Sequence, residues 1–369
     1  MVATDSQTTI DNPFRKNGEA SKIPSDVPRF VSPDSEPLSS SVADSSEEEV
    51  QMGSEMAAMF KDAGVHPIFI FGSKGSGKTS LIASLIKYMR DKEEAEATIE
   101  LAEEIFPQGD PRWNRRRSWA RDVFHRKVLD YIERQAPATT QEEEPFFIPI
   151  RLELKAGKPV YFAFLEGKGE WYQPDRQAEI PYRKFKGFVQ GVLQSFNESA
   201  TVIYVAPFVS GSTDEGAKER QLRDSDLGLL GAINEYTSAR RAMYHQDKHL
   251  FLLTKWDIFC HLSSDQFTDP DGEAIQSILK ERYPISWIKF GNMNMSEHMA
   301  NKSYSTYSAG VIDGRNIAAP AEEDEERVAF YPRKLWDELY QNATGKVLYE
   351  DVQPPKPGLL DRLIGWLRT

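Results

Sequence analysis

The run Gly72-Ser73-Lys74-Gly75-Ser76-Gly77-Lys78-Thr79 fits the pattern G-x-x-x-x-G-K-[ST] at every fixed position. Each residue type there has a task in holding phosphate. Gly72, Gly75 and Gly77 let the backbone wrap close to an anion with its N–H groups pointing inward. Lys78 reaches toward terminal phosphates, and the Thr79 hydroxyl is placed to hold Mg²⁺. The apolar run Ile68-Phe69-Ile70-Phe71 enters the loop as a buried strand. Ser80 and the run Leu81 to Met89 leave it as a helix, whose positive N-terminal end faces the same anion.

The loop alone does not separate ATP from GTP, and three later segments bear on that choice. The first is Phe164-Leu165-Glu166-Gly167-Lys168-Gly169-Glu170, the second Leu252-Leu253-Thr254-Lys255-Trp256-Asp257, and the third Ser308-Ala309-Gly310. In this order they resemble the D-x-x-G, N-K-x-D and S-A motifs of Ras-like P-loop GTPases of the translation-factor-related class. The resemblance covers about residues 64 to 345 and is carried by short motifs, with Glu166 in place of Asp and Thr254 in place of Asn.

The resemblance implies a three-layer α/β P-loop fold, its sheet mostly parallel with one antiparallel hairpin strand. It implies GTP/GDP and Mg²⁺ as cofactors, and a molecular switch that hydrolyses GTP. Gly72 through Ser80 would hold phosphate, Thr79 and Glu166 the metal, and Lys78, Gly169 and Glu170 the reacting end. Thr254, Lys255, Asp257, Ser308 and Ala309 would hold the base. The chemistry of Asp257 is plain: guanine presents adjacent N1–H and N2–H₂ donors that a carboxylate accepts as a pair, and adenine does not. A non-hydrolysing GTP-binding scaffold and an ATP-using kinase or motor are the alternatives.

Glu170 stands where the family carries a water-orienting glutamine, which implies slow or partner-dependent turnover. Thr139 and Thr140 are the candidates for the threonine that closes over Mg²⁺, ahead of Thr98 in a helix-like run. Arg115, Arg116, Arg117 and Arg121 read as a solvated helix face, and by resemblance as candidate arginine fingers supplied in cis. The six histidines show no metal-ligand spacing.

These residues need elements to position them. Ile148, Ile150, Leu152 and Leu154 alternate with polar residues, which predicts a strand. A tight turn leads into a second strand, Val160 to Leu165, so the two are antiparallel neighbours. Further strands are expected at Thr201 to Val205, Leu250 to Leu253 and Tyr304 to Tyr307. Helices are expected at Tyr182 to Asn197, Glu215 to Tyr244 and Gly272 to Arg282. Such alternation predicts a mostly parallel sheet covered on both faces. Residues 91 to about 140 read as a helical insertion, with Trp113, Trp119, Val123, Phe124, Val128, Leu129 and Ile132 at helix-like spacing. Ser54 to Ala63 reads as a short helix, and Pro332 to Leu339 opens the last one.

The domain expected over 54–350 is flanked by unlike ends. Residues 1–53 read as a disordered, acidic, Ser-rich tail. Residues 351–369 read as a Pro linker and an amphipathic helix, Gly358 to Leu367. That helix has three readings: packing on its own domain, peripheral membrane contact, or a partner's groove.

The net charge of −12 over 369 residues excludes a general nucleic-acid binder. A single cysteine, Cys260, excludes an intrachain disulfide. No apolar run approaches the ~20 residues of a membrane span, and no signal-peptide core opens the chain. The expectation is a soluble, cytoplasmic protein with a protein effector or regulator.

Overall fold

In the computed structural model, seven strands form one sheet in the order β2-β3-β4-β1-β5-β6-β7. The described residues are 41–91, 97–138, 142, 144–154, 157–168, 185–208, 215–241, 243–257, 272–293, 301–310, 312–313, 316–317 and 325–349. All lie in the unit spanning Val42–Thr369 apart from Ser41, which ends a separate unit, Met1–Ser41. The strands are β1 (Val65–Phe71), β2 (Ala97–Leu101), β3 (Phe146–Leu154), β4 (Val160–Glu166), β5 (Thr201–Pro207), β6 (Lys248–Thr254) and β7 (Lys302–Tyr307). β1 runs parallel to both β4 and β5, and β6 and β7 extend the parallel set. β3 is antiparallel to β2 and to β4. The expected hairpin is therefore present, in an otherwise parallel α/β sheet.

The sheet is buried on both faces because successive strand residues alternate in direction. On one face Phe69, Phe71 and Phe147 meet Phe60, Phe185, Phe188 and Tyr236. Phe60 belongs to α1 (Ser41–Ala63), Phe188 to α5 (Gly187–Ser195) and Tyr236 to α6 (Glu215–Arg240). On the other face Phe162 and Phe164 meet Trp336 of α9 (Glu325–Thr344), whose indole donates to the Leu85 carbonyl of α2 (Lys78–Asp91) at 2.9 Å. The result is a helix–sheet–helix sandwich. No helix among the described residues is long and apolar enough to cross a membrane.

Several elements differ from expectation. Residues 97–101, expected as helix, form the edge strand β2, with Ala97 and Ile99 buried and Thr98 exposed. Apart from a 3₁₀ turn at Glu103–Ile105, the helical part of the insertion starts at α3 (Pro111–Arg121), which continues through a π turn (Asp122–Lys127) into α4 (Val128–Ile132). Asp110 caps α3 by accepting from the Arg112 N–H at 3.0 Å, with Pro111 at its first position. Leu129 and Ile132, two of the apolar residues at helix-like spacing, face out at 50% and 41% exposure. α9 starts at Glu325, so Pro332 lies within it rather than opening it. Burial of Phe330, Tyr331, Leu335 and Trp336 offsets the hydrogen bond that a proline cannot make. The remaining helices are α7 (Gly272–Arg282) and α8 (Pro284–Gly291), and a two-residue pair, β8 (Ile312–Asp313) with β9 (Asn316–Ile317), follows β7.

α1 also starts earlier than expected, at Ser41, because its contacts come from distant residues. Gly53 and Gly191 let α1 and α5 touch backbone to backbone. A Cβ at Gly53 would meet the Phe188 carbonyl oxygen at 2.1 Å, and one at Gly191 the Val50 carbonyl oxygen at 2.0 Å. Gly64 ends α1 at φ +65°, the left-handed position that favours glycine. Gly53→Ala should lower stability by about 1–3 kcal/mol, because backbone rather than a flexible side chain must move. Urea unfolding of wild type and variant measures this; an unchanged midpoint would show that the two helices are not held in contact.

Candidate functional site

The parallel strands β4, β1, β5, β6 and β7 all end along one edge of the sheet, where their C-terminal loops gather. The chain leaves β1 for the β2-β3-β4 side first and returns to its other side for β5, so the order reverses at β1. In open α/β sheets that crevice is where ligands bind. The Gly72–Thr79 loop leaves β1 at this point. Ile68 pairs with Phe164, so Glu166, two residues on, ends β4 level with Ile70, just short of the loop.

The loop is tightly built. Gly72 is buried, and a Cβ there would meet Ser76 Oγ at 2.7 Å and the Val205 carbonyl oxygen at 2.9 Å. Gly75 and Gly77 take φ of +73° and +93°. The Ser76 N–H donates to the Ser73 carbonyl at 3.2 Å, and the Leu81 N–H to the Gly77 carbonyl at 2.8 Å. Lys78 starts α2, is 7% exposed, and donates Nζ to the Gly72 carbonyl at 2.9 Å and the Ser73 carbonyl at 3.4 Å. Its ammonium thus lies over the loop. Ser76 Oγ is fully buried with no hydrogen-bond partner among the described residues. Lys74 is exposed, and Thr79 and Ser80 are half-buried in the first turn of α2.

A second cluster forms where β6 and β7 end. Thr254 closes β6 and donates its hydroxyl to the Ser76 carbonyl at 2.8 Å. Lys255 follows at φ +59°, a left-handed conformation that is uncommon for a residue with a side chain. Trp256 and Asp257 are both buried. Ser308 donates to Asp257 Oδ1 at 2.9 Å, and the Gly310 N–H donates to Ser308 Oγ at 3.2 Å. Burial pushes the Asp257 carboxyl above its usual range, while the hydrogen bond from Ser308, its own backbone and Lys255 pull it down. Burial lowers the Lys255 ammonium, with Asp257 opposing. A buried carboxylate is therefore held at a fixed orientation beside the loop that Thr254 anchors.

The structure brings together Gly72 to Ser80, Thr254, Lys255, Asp257, Ser308 and Ala309. Glu166 is buried, and its Oε1 accepts from the Gly167 N–H at 3.0 Å. Gly169, Glu170, Thr139 and Thr140 lie outside the described residues, as do residues 1–40 of the tail expected over 1–53 and residues 351–369; residues 41–53 belong to α1. Thr98 sits on the outermost strand. Among the described residues no group of three or more His, Cys, Asp and Glu side chains could hold a metal. Thr79 and Glu166 carry oxygen donors, the ligand type that Mg²⁺ takes in small number alongside water and phosphate oxygens.

The arginine cluster does not form a solvated face throughout. Arg116 is 2% exposed, paired with Glu49 at 2.8 Å and Glu144 at 3.3 Å, and lies 4.3 Å from the Phe188 ring centre. Arg115 pairs with Glu144 at 3.3 Å, Arg117 donates to the Pro107 carbonyl at 2.8 Å, and Arg121 pairs with Glu103. None of these partners belongs to the 72–79 loop. His66 and His249 are buried and kept neutral, their pKa values pulled down to about 4 by burial.

Two contacts at the site had no sequence signal. Ser225 of α6 meets Ser73 Oγ at 3.0 Å, tying the loop to that helix. Tyr131 of α4 donates to the Ala309 carbonyl. No family model matches the chain, and a search of curated proteins finds no match.

Thr254→Val keeps the shape but leaves the buried Ser76 carbonyl without that donor. It should cost about 1–3 kcal/mol of stability. Chemical unfolding of the two proteins checks this, and equal stability would mean that the contact carries no weight.

Proposed function

We propose that this chain is a Mg²⁺-dependent guanine-nucleotide-binding protein that hydrolyses GTP to GDP and works as a molecular switch, of the Ras-like P-loop class. The observation that carries the proposal is the pairing of two motifs far apart in sequence. Thr254 bonds the glycine-rich loop at Ser76, and three residues on, Asp257 is held by Ser308. The contact of the glycine-rich loop with the segment that carries a buried, oriented acidic side chain supports reading the one as the phosphate site and the other as the base site.

The roles follow from chemistry. Loop N–H groups and the start of α2 would cradle the phosphates. Lys78 would exchange its carbonyl partners for phosphate oxygens, a stronger charge-assisted bond. Thr79 and Glu166 would hold Mg²⁺, which supplies charge neutralisation at the β- and γ-phosphates. Asp257 would accept N1–H and N2–H₂ of guanine. Glu170 and Gly169 keep the roles the resemblance implies. A switch needs a reader, so a protein effector or regulator belongs to the proposal. So does a cytoplasmic location, with the C-terminal segment as a candidate for peripheral membrane contact.

Asp257→Asn puts an amide donor where an acceptor oxygen stood. GTP binding should weaken by roughly 1–3 kcal/mol, and xanthosine triphosphate, with a carbonyl in place of the amine, should gain measurable binding. Titration of both proteins with GTP, xanthosine triphosphate and ATP reads this out. Unchanged GTP affinity in the variant, or a wild-type preference for ATP, would sink the guanine assignment.

Lys78→Ala removes the ammonium that the loop positions. GTP affinity should fall by about 1.5–3 kcal/mol, the range for hydrogen bonds to charged groups. Calorimetric titration, with a melting curve to verify folding, decides it. Retained affinity would mean that the loop does not bind the terminal phosphates.

A further inference from the structure

The helical insertion reaches the base side of the site through one buried side chain. Tyr131, on α4, is 7% exposed, and its hydroxyl donates to the carbonyl of Ala309. Burial raises its pKa well above that of an ordinary phenol, with the nearby Asp257 charge adding to the effect, so the hydroxyl stays protonated and remains a donor. Ser84 of α2 and Tyr307, at the end of β7, bond to each other, and Ser84 also lies within reach of the Tyr131 hydroxyl.

A second contact binds the same two regions. The Ile317 N–H of β9 donates to the Arg134 carbonyl at 2.7 Å, in the turn that ends α4, where Arg134 takes φ +60°. The 308–310 loop is thus gripped from two sides. On one side the Ser308 hydroxyl bonds Asp257 and the Gly310 N–H bonds Ser308 Oγ. On the other, Tyr131 holds the peptide between them. The Ala309 carbonyl and the Gly310 N–H share one peptide plane, so rotation of that plane would withdraw the Gly310 N–H from Ser308 Oγ and loosen the hydroxyl that orients the Asp257 carboxylate.

We propose that Tyr131 is a positioning residue for purine selection: by fixing the Ala309 peptide it keeps Ser308, and through it Asp257, in the orientation that accepts the donor edge of guanine. This rests on the guanine-nucleotide reading given above. Among the described residues Tyr131 bonds the Ala309 carbonyl, and its bond reaches the base side of the site rather than the carbonyls of the 72–79 loop. The insertion is then a working part of the nucleotide site.

The test is Tyr131→Phe in the full chain, which keeps the ring and removes only the hydroxyl. GTP and ATP are titrated in the presence of Mg²⁺ against wild type, the variant, and a control, Leu129→Ala, at an exposed position of the same helix. GTP affinity should fall about tenfold in Tyr131→Phe, equivalent to about 1.4 kcal/mol. The weaker ATP affinity, which depends on the phosphate loop, should stay within about twofold. The control should match wild type for both. An equal loss for GTP and ATP would assign Tyr131 a merely structural part and overturn the proposal. No loss for GTP, with wild type still preferring GTP, overturns the proposal and leaves the guanine reading standing. A wild type that prefers ATP overturns both.

Discussion

The hydrogen bond from the Thr254 hydroxyl to the Ser76 carbonyl joins the two halves of the site. A glycine-rich loop with two residues at positive φ has little to define its shape by itself. Here it is fastened at three places: Thr254 at the far end of β6, Ser225 of α6 against Ser73, and the Lys78 ammonium across its own carbonyls. Each fastening is buried, where a hydrogen bond is worth more and its loss costs more than at the surface. The parallel sheet makes this possible. It brings the ends of β1 and β6 to one edge, with β5 between them.

The elements outside this sheet edge are tied to it rather than appended. Arg116 is the hub of one side. Its guanidinium binds Glu49 of α1 and Glu144 ahead of β3, and covers Phe188 of α5. A buried guanidinium is tolerated because its donors are met by two carboxylates, the Pro145 carbonyl and an aromatic face. α1 lies against α5 through glycine-to-backbone contact. α5 is the first described helix after Glu166 and Gly167, and it has α1 and α3 as neighbours. On the other side α4 touches the 308–310 loop through Tyr131. The insertion therefore contacts both the helix that follows β4 and the loop beside Asp257.

Much of this was legible in the sequence, because the signals were local. The alternation in Ile148 to Leu154 and the short turn after it are enough to give an antiparallel pair, and the glycine pattern places the loop between a strand and a helix. The order of Thr254-Lys255-Trp256-Asp257 and Ser308-Ala309 places both at strand ends, as observed. What was not legible depended on distant partners. Ala97 to Leu101 alternates too briefly to stand out among charged neighbours, and becomes a strand because β3 offers it an edge. Glu49 looks like part of an acidic tail until Arg116 is known to lie beside it. Tyr131 and Ser225 carry no spacing signal at all, since each contacts the site through a single tertiary hydrogen bond.

The central claim is that loop 72–79, segment 254–257 and loop 308–310 form one site for one guanine nucleotide. Hydrogen exchange followed by mass spectrometry, with and without nucleotide and Mg²⁺, tests it most directly. GTP should slow exchange in all three segments together, at one common saturating concentration. ATP at that concentration should leave 254–257 and 308–310 unprotected. Protection of 72–79 alone, or equal protection of all three segments by ATP, would contradict the account.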